Sequence, residues 1–336
     1  MNTIALAPAP APASASVGPT LAELRPTRWH RPLLALAAVM AVLAVANIVG
    51  AIVDPRQVTG AEVWLKPLKF ALSTGIYSVA LAWLIGRIPR GTRLSRVAGF
   101  AGTVAAIGLA IELAIIDGFA LFGQSSHFNV STPFHTAMWG IMAISIAVVW
   151  CVTLVIAVAL FRTPLGDAAR RLGIRAGVVI ALIGMALGAL MTGPTAGQLS
   201  NFQGIAGAHT VGLADGGPGL PLLGWSTQGG DLRIPHFVGM HALQLLPLLV
   251  LVLELLAVRV VALRDARRRF RLVVLGVAVY AATLAILTLQ ALAGQSIVAP
   301  AGAILVGGIV TAVAGVVGLI VILVAPVGAG RRHPVH

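Results

Sequence analysis

The chain is poor in cysteine, in lysine and in charge of either sign. Its single cysteine, Cys151, lies inside an apolar run of a 336-residue sequence. That excludes a disulfide framework, a CxxC redox motif, Cys-ligated zinc and iron–sulfur clusters. Only 10% of residues are charged, against about 25% in soluble globular proteins. With 58% apolar residues and a mean hydropathy of +0.98, a soluble or a disordered chain is excluded, and lipid is the expected solvent.

Apolar stretches run at about 33–53, 65–86, 97–118, 134–160, 174–192, 236–258, 272–293 and 301–325. Each approaches the ~20 residues that a helix needs to cross hydrocarbon. The expected fold is an all-α integral membrane protein of about eight transmembrane helices, with a membrane domain over 31–326. Residues 1–30 read as a disordered Ala/Pro-rich tail, and 327–336 as a second short tail. Nineteen of the 23 basic residues fall in the tails and in alternate connections. The positive-inside rule makes those segments cytoplasmic, together with both termini. The net charge of +13 is therefore mostly a topology signal. The run RDARRRFR reads as a solvated, headgroup-facing loop that needs no nucleic acid partner.

Gly123, Gln124 and Ser125 after span three match Gly294, Gln295 and Ser296 after span seven, and Pro133 matches Pro300 as the opening residue of the next helix. This suggests two parallel four-helix halves. The halves differ in two outward additions: Ser126–Asn129, and a connection over 193–235 with eleven glycines. A Gly-rich loop can cradle phosphate through its amides. Without GxxxxGK[ST] or a preceding strand, however, turns are the expected role.

Four basic residues remain for the outer face: Arg56, Lys66, Lys69 and Arg233. Lys66 and Lys69 are the only lysines in the chain. Helical spacing places Lys66, Lys69, Ser73 and Tyr77 on one face, which should turn toward the bundle interior. Glu112, about 9 Å below Gly118 at 1.5 Å per residue, needs a partner or a proton, and a lysine is at a compatible depth. Asp117 should sit in water at the interface, and Glu254 has Arg259 close by. His127 and Asn129 lie in the inserted SHFN, where Asn129 also begins a weak glycosylation triplet. His135 follows a Thr132–Pro133 cap. His236 and His241 begin span six, with Gln244 one turn below His241, and Pro247 should kink that span.

WLKPLKF, GQSSHFN and GDLRIPHFVGMHALQLLP together resemble motifs of an uncharacterised family of multi-pass bacterial membrane proteins of high-GC actinobacterial type. The resemblance implies only that the outward motifs belong together; it carries no activity. Three functions suit the residues. The first is binding or transport of an anionic small molecule or lipid headgroup by Lys66, Lys69 and Arg233, with His127, His241 and Gln244 as hydrogen-bond partners. The second is an intramembrane hydrolase with zinc on His127, His135 and His241, and Glu112 or Asp231 as general base. The third is a haem protein with His135 and His241 as axial ligands. A structural scaffold is the fourth alternative.

Overall fold

The computed structural model describes residues 28–325. The expected tails lie outside the described residues, apart from the last three positions of the first. Each half of the chain contributes four crossings. The first half comprises α1 (Arg31–Val53), α2 (Leu65–Ile85), α3 (Arg93–Leu121) and α4 (Pro133–Phe161). In the second, α5 (Ala168–Leu187) is followed by the long connection and then by the pair α7 (Arg233–Met240) and α8 (Ala242–Ala257). The helices α9 (Ala266–Leu292) and α10 (Gly302–Val324) complete it, and the short α6 (Ala196–Ser200) lies in the connection. Among the described residues seven helices are long and apolar enough to cross a membrane, and the bent pair α7–α8, taken as one span, makes an eighth. The chain is a multi-pass helical membrane protein.

Short polar devices set the helix starts. Thr92, Thr132, Asp167 and Asp265 each accept a backbone N–H at their helix N-terminus, satisfying a donor the first turn leaves open. The repeated GQS segments end α3 and α9 in the same way. Gly123 and Gly294 are left-handed (φ +66° and +70°). Gln124 N–H reaches Phe119 O and Gln295 N–H reaches Gln290 O, the hydrogen bonds of a Schellman cap. The prolines differ. Pro133 opens α4, whereas Pro300 stands one residue before the Ala301 cap, because the Gln295 carboxamide receives the Ala301 N–H. The packing repeats as well: α1–α2, α2–α3, α3–α4 and α1–α3 in one half correspond to α5–α8, α8–α9, α9–α10 and α5–α9 in the other. The halves meet where α4 packs on α5 and α2 on α8. The main core lies in the first half and this junction, around Leu33, Met40, Leu81, Leu113, Ile156 and Leu160.

Span six bends by 41° at Met240–His241, six residues before the Pro247 expected to kink it. Two contacts with α5 account for the position. A Cβ added at Gly184 would lie 2.2 Å from the Gly239 carbonyl carbon, so the two backbones touch there. One turn and more away, Gly177 admits Ala242 O and Pro247. Each segment follows its own contact on α5, and the chain turns between them.

The arginine-rich end is less solvated than its sequence implies. Arg268 and Arg269 of RDARRRFR are buried. Arg269 bonds Asp167 at 2.9 Å together with Leu263 O and Arg264 O, and Arg268 bonds Ala325 O. Glu254 pairs with Arg170 at 2.9 and 3.0 Å, not with Arg259, because its carboxylate faces the bundle interior beside α5.

Gly239→Ala is expected to cost about 1–3 kcal/mol, the usual range for overpacking, read as a lower thermal midpoint of the detergent-solubilised protein. Gly118→Ala, whose added Cβ meets nothing within 4 Å, should leave the midpoint unchanged or slightly raised. Equal midpoints for the two variants would contradict the close approach.

Candidate functional site

The polar stripe of α2 faces inward along its length. At the loop-rich end Lys69 Nζ donates to Leu223 O at 2.9 Å. Deeper, Ser73 Oγ lies 3.5 Å from His241 Nε2, at the bend of span six. Deeper still, the Tyr77 hydroxyl shares a 2.6 Å hydrogen bond with Thr153 of α4. The stripe therefore follows the seam where α2 meets α8, and Gln244 Oε1 holds His241 Nδ1 at 3.1 Å. Lys66 is partly buried, and among the described residues its ammonium forms no hydrogen bond. Its electrostatic neighbours are Glu112, Lys69, Arg233 and Asp215.

Glu112 is 2% exposed. Because α3 continues to Leu121, the carboxylate lies about 13 Å below the helix end at 1.5 Å per residue, deeper than the sequence suggests. The expected lysine ion pair is absent among the described residues. Instead His127 Nε2 lies 3.6 Å from Glu112 Oε1, and Oε2 has no hydrogen-bond partner. Ser126 Oγ stands 3.2 Å from His127 Nδ1. Phe70, Phe128 and Trp139 surround the imidazole at centroid distances of 5.4, 6.0 and 5.2 Å. Phe128 is held left-handed (φ +62°), a conformation that costs of order 1 kcal/mol. Burial of its ring and an N–H from Ala206 offset that cost. Gly207 makes room for it, since a Cβ there would lie 2.5 Å from Phe128 Cδ1.

The two outward additions pack on each other. Asn129 bridges to Ile205, and Val130 N–H bonds Gly204 O. The long connection also folds on itself through β1 (Thr210–Val211) and β2 (Gly230–Asp231), paired antiparallel. This brings His209 onto Phe128, with ring centroids 5.0 Å apart. Asp215 fixes His209 through Nδ1 at 2.6 Å and accepts further bonds from His209 N, Thr210 N and Thr210 Oγ1. Asp231 is fully committed, to Ser226 N, Arg233 N and the Arg233 guanidinium. Arg233 Nη2 also bonds Gly224 O at 2.6 Å.

Of the residues singled out in the sequence, Lys66, Lys69, Glu112, His127, Arg233, His241 and Gln244 belong to this cluster and the seam below it. Three do not. His135 is bound to Gln124 and Thr132 on the exposed start of α4. Asn129 closes a turn onto Ser125 and Ser131, and His236 bonds Gly184 O at the bend. The zinc set His127, His135 and His241 is therefore not assembled, and among the described residues no three His, Cys, Asp or Glu side chains group as a metal ion requires. The axial pair His135 and His241 fails likewise, since each ring has both nitrogens engaged by protein. Asp117 is half-buried, with Oδ2 turned away from water and the side chain beside Asn47 of α1. Sequence reasoning missed His209 and Asp215. Their signal was a His and an Asp six apart in a stretch otherwise made of turn formers. Comparison of the chain with protein-family models, with curated proteins and with solved structures finds no match.

Burial pushes the His127 imidazole well below its ordinary value, and the Lys66 charge adds to the effect. Burial also lowers His209, against the pull of Asp215. Burial would raise Asp215, but its bonds from His209 and Thr210 hold it below the usual carboxylate range. Both imidazoles are thus neutral when folded and titrate near 6.5 when unfolded. The stability this contributes is present above about pH 6.5 and is lost as pH falls toward the folded values. The thermal midpoint should therefore drop between pH 7.5 and 5.5, and less steeply in His127→Gln. A flat wild-type profile would contradict two buried neutral histidines.

Proposed function

We propose that the protein binds or transports an anionic small molecule or lipid headgroup at Lys66, Lys69 and Arg233. On this reading it lies in a bacterial plasma membrane, with the arginine-rich end and both termini cytoplasmic and the loop-rich end outside. One observation carries the reading: three cations gather at the mouth of the polar seam between the two halves, beside a broken span. In secondary transporters, discontinuous helices at a repeat interface commonly build the substrate site. Of the carboxylates near Lys66, Asp215 is saturated by other donors and Glu112 lies deeper beside His127, so among the described residues the Lys66 ammonium has no hydrogen-bond acceptor. Ser73, His241 and Gln244 continue the polar surface inward. The zinc and haem alternatives gain no support from the placement of His127, His135 and His241.

The test is thermal stabilisation of the purified protein by phosphate, pyrophosphate, citrate or phosphatidylglycerol. At least one should raise the midpoint, and the effect should weaken with salt, as expected for exposed charges. The double variant Lys66→Met/Lys69→Met should lose it. Stabilisation that persists in this variant would refute the site. A destabilised Lys66→Met with unaltered binding would assign Lys66 to a structural pair with Glu112.

A further inference from the structure

Lys69 and Arg233 are not open to a ligand in this structure. They hold two successive backbone carbonyls, Leu223 O at 2.9 Å and Gly224 O at 2.6 Å, at the tip of one turn of the long connection. The base of that turn is firmly built. Gly219 bridges Ser226, Thr227 N–H bonds Pro218 O, and buried Ser226 is tied to Asp231. The tip is not. No residue from 212 to 225 is buried, Leu222 is 73% exposed, and Leu222 and Gly224 are both left-handed (φ +61° and +66°). Little apolar burial holds the tip down, beyond the edge contact of Trp225 with Phe237. Its strongest attachments are the two hydrogen bonds to the cations.

We infer that the 219–226 turn is a lid that fills the anion site with its own carbonyls, and that the ligand is an oxyanion whose oxygens replace those of Leu223 and Gly224. This rests on the site proposed above. A carbonyl presents the same acceptor as one oxygen of a carboxylate or phosphate, but without its charge. The carbonyl bonds are already charge-assisted by their cationic donors; an oxyanion adds the attraction between opposite charges, so it outcompetes the tip while Arg233 keeps its Asp231 partner. The lid lowers apparent affinity by the fraction of time it is open. A phosphate group free in solution and one on a lipid share this chemistry.

The experiment uses the full chain in nanodiscs and a variant with residues 220–225 replaced by Gly-Ser-Gly. Pyrophosphate is titrated in phosphatidylcholine discs, and phosphatidylglycerol discs without pyrophosphate form the second arm. The arm that responds identifies a free or a lipid-borne anion. The variant should bind about tenfold tighter or more, and in the full chain amide exchange over 219–226 should rise several-fold on saturation. Should the variant not fold, the exchange measurement decides alone. Equal affinity, or unchanged exchange in a wild type that binds, overturns the lid and leaves the site standing. Weaker binding by the variant makes the tip part of the ligand site and also overturns the lid. Binding by neither protein in either arm overturns both the site and its lid.

Discussion

The contact between the Gly184 and Gly239 backbones decides where everything at the loop-rich end stands. With no side chain between them, α5 and α7 approach to a distance that no other residue pair would permit. The first turns of span six are pinned there, and the bend at His241 follows. That bend turns His241 and Gln244 toward Ser73 on α2, and it presents the Arg233 end of α7 to Lys69. The cost is an interrupted helix inside the membrane, tolerable because Tyr280 donates to Val238 O and His236 sits on Gly184 O.

Around this junction the two halves have divided the work. The first supplies Lys66, Lys69, Glu112 and His127; the second supplies Arg233, Asp231 and the long connection with His209 and Asp215. Their helix packing and the caps at Gly123 and Gly294 are alike, whereas the loops are not. The inserted SHFN is where the long connection lands, and the strained Phe128 backbone serves that contact, setting a ring between His127 and His209.

Much of the helical layout was legible because it rests on one-dimensional quantities: apolar length, capping residues and basic loops. The inward stripe of α2 was legible for the same reason, since helical periodicity puts Lys66, Lys69, Ser73 and Tyr77 on one side. What depends on the neighbour across a contact was not. Glu254 sits five residues from Arg259, yet its partner is Arg170, 84 positions away. Proline at 247 looked like the bend, but two glycines elsewhere set it, and a glycine contact leaves no trace in hydropathy. His209 and Asp215 were hidden because turn-rich sequence gives no period from which a facing residue can be inferred. Histidines at helix ends looked alike in sequence, and only the loop docking separated His127 from His135.

The last helix stands apart from this network. α10 buries none of its residues and packs on α9, so lipid chains supply most of its contacts. Its 23 residues reach about 34 Å at 1.5 Å per residue, a few ångströms beyond a hydrocarbon layer of about 30 Å. Its seat in the bilayer is set by its packing on α9. The turn end of the α9–α10 hairpin is fixed to the long connection, where Gly230, one residue before Asp231, abuts the carbonyl of Ala291.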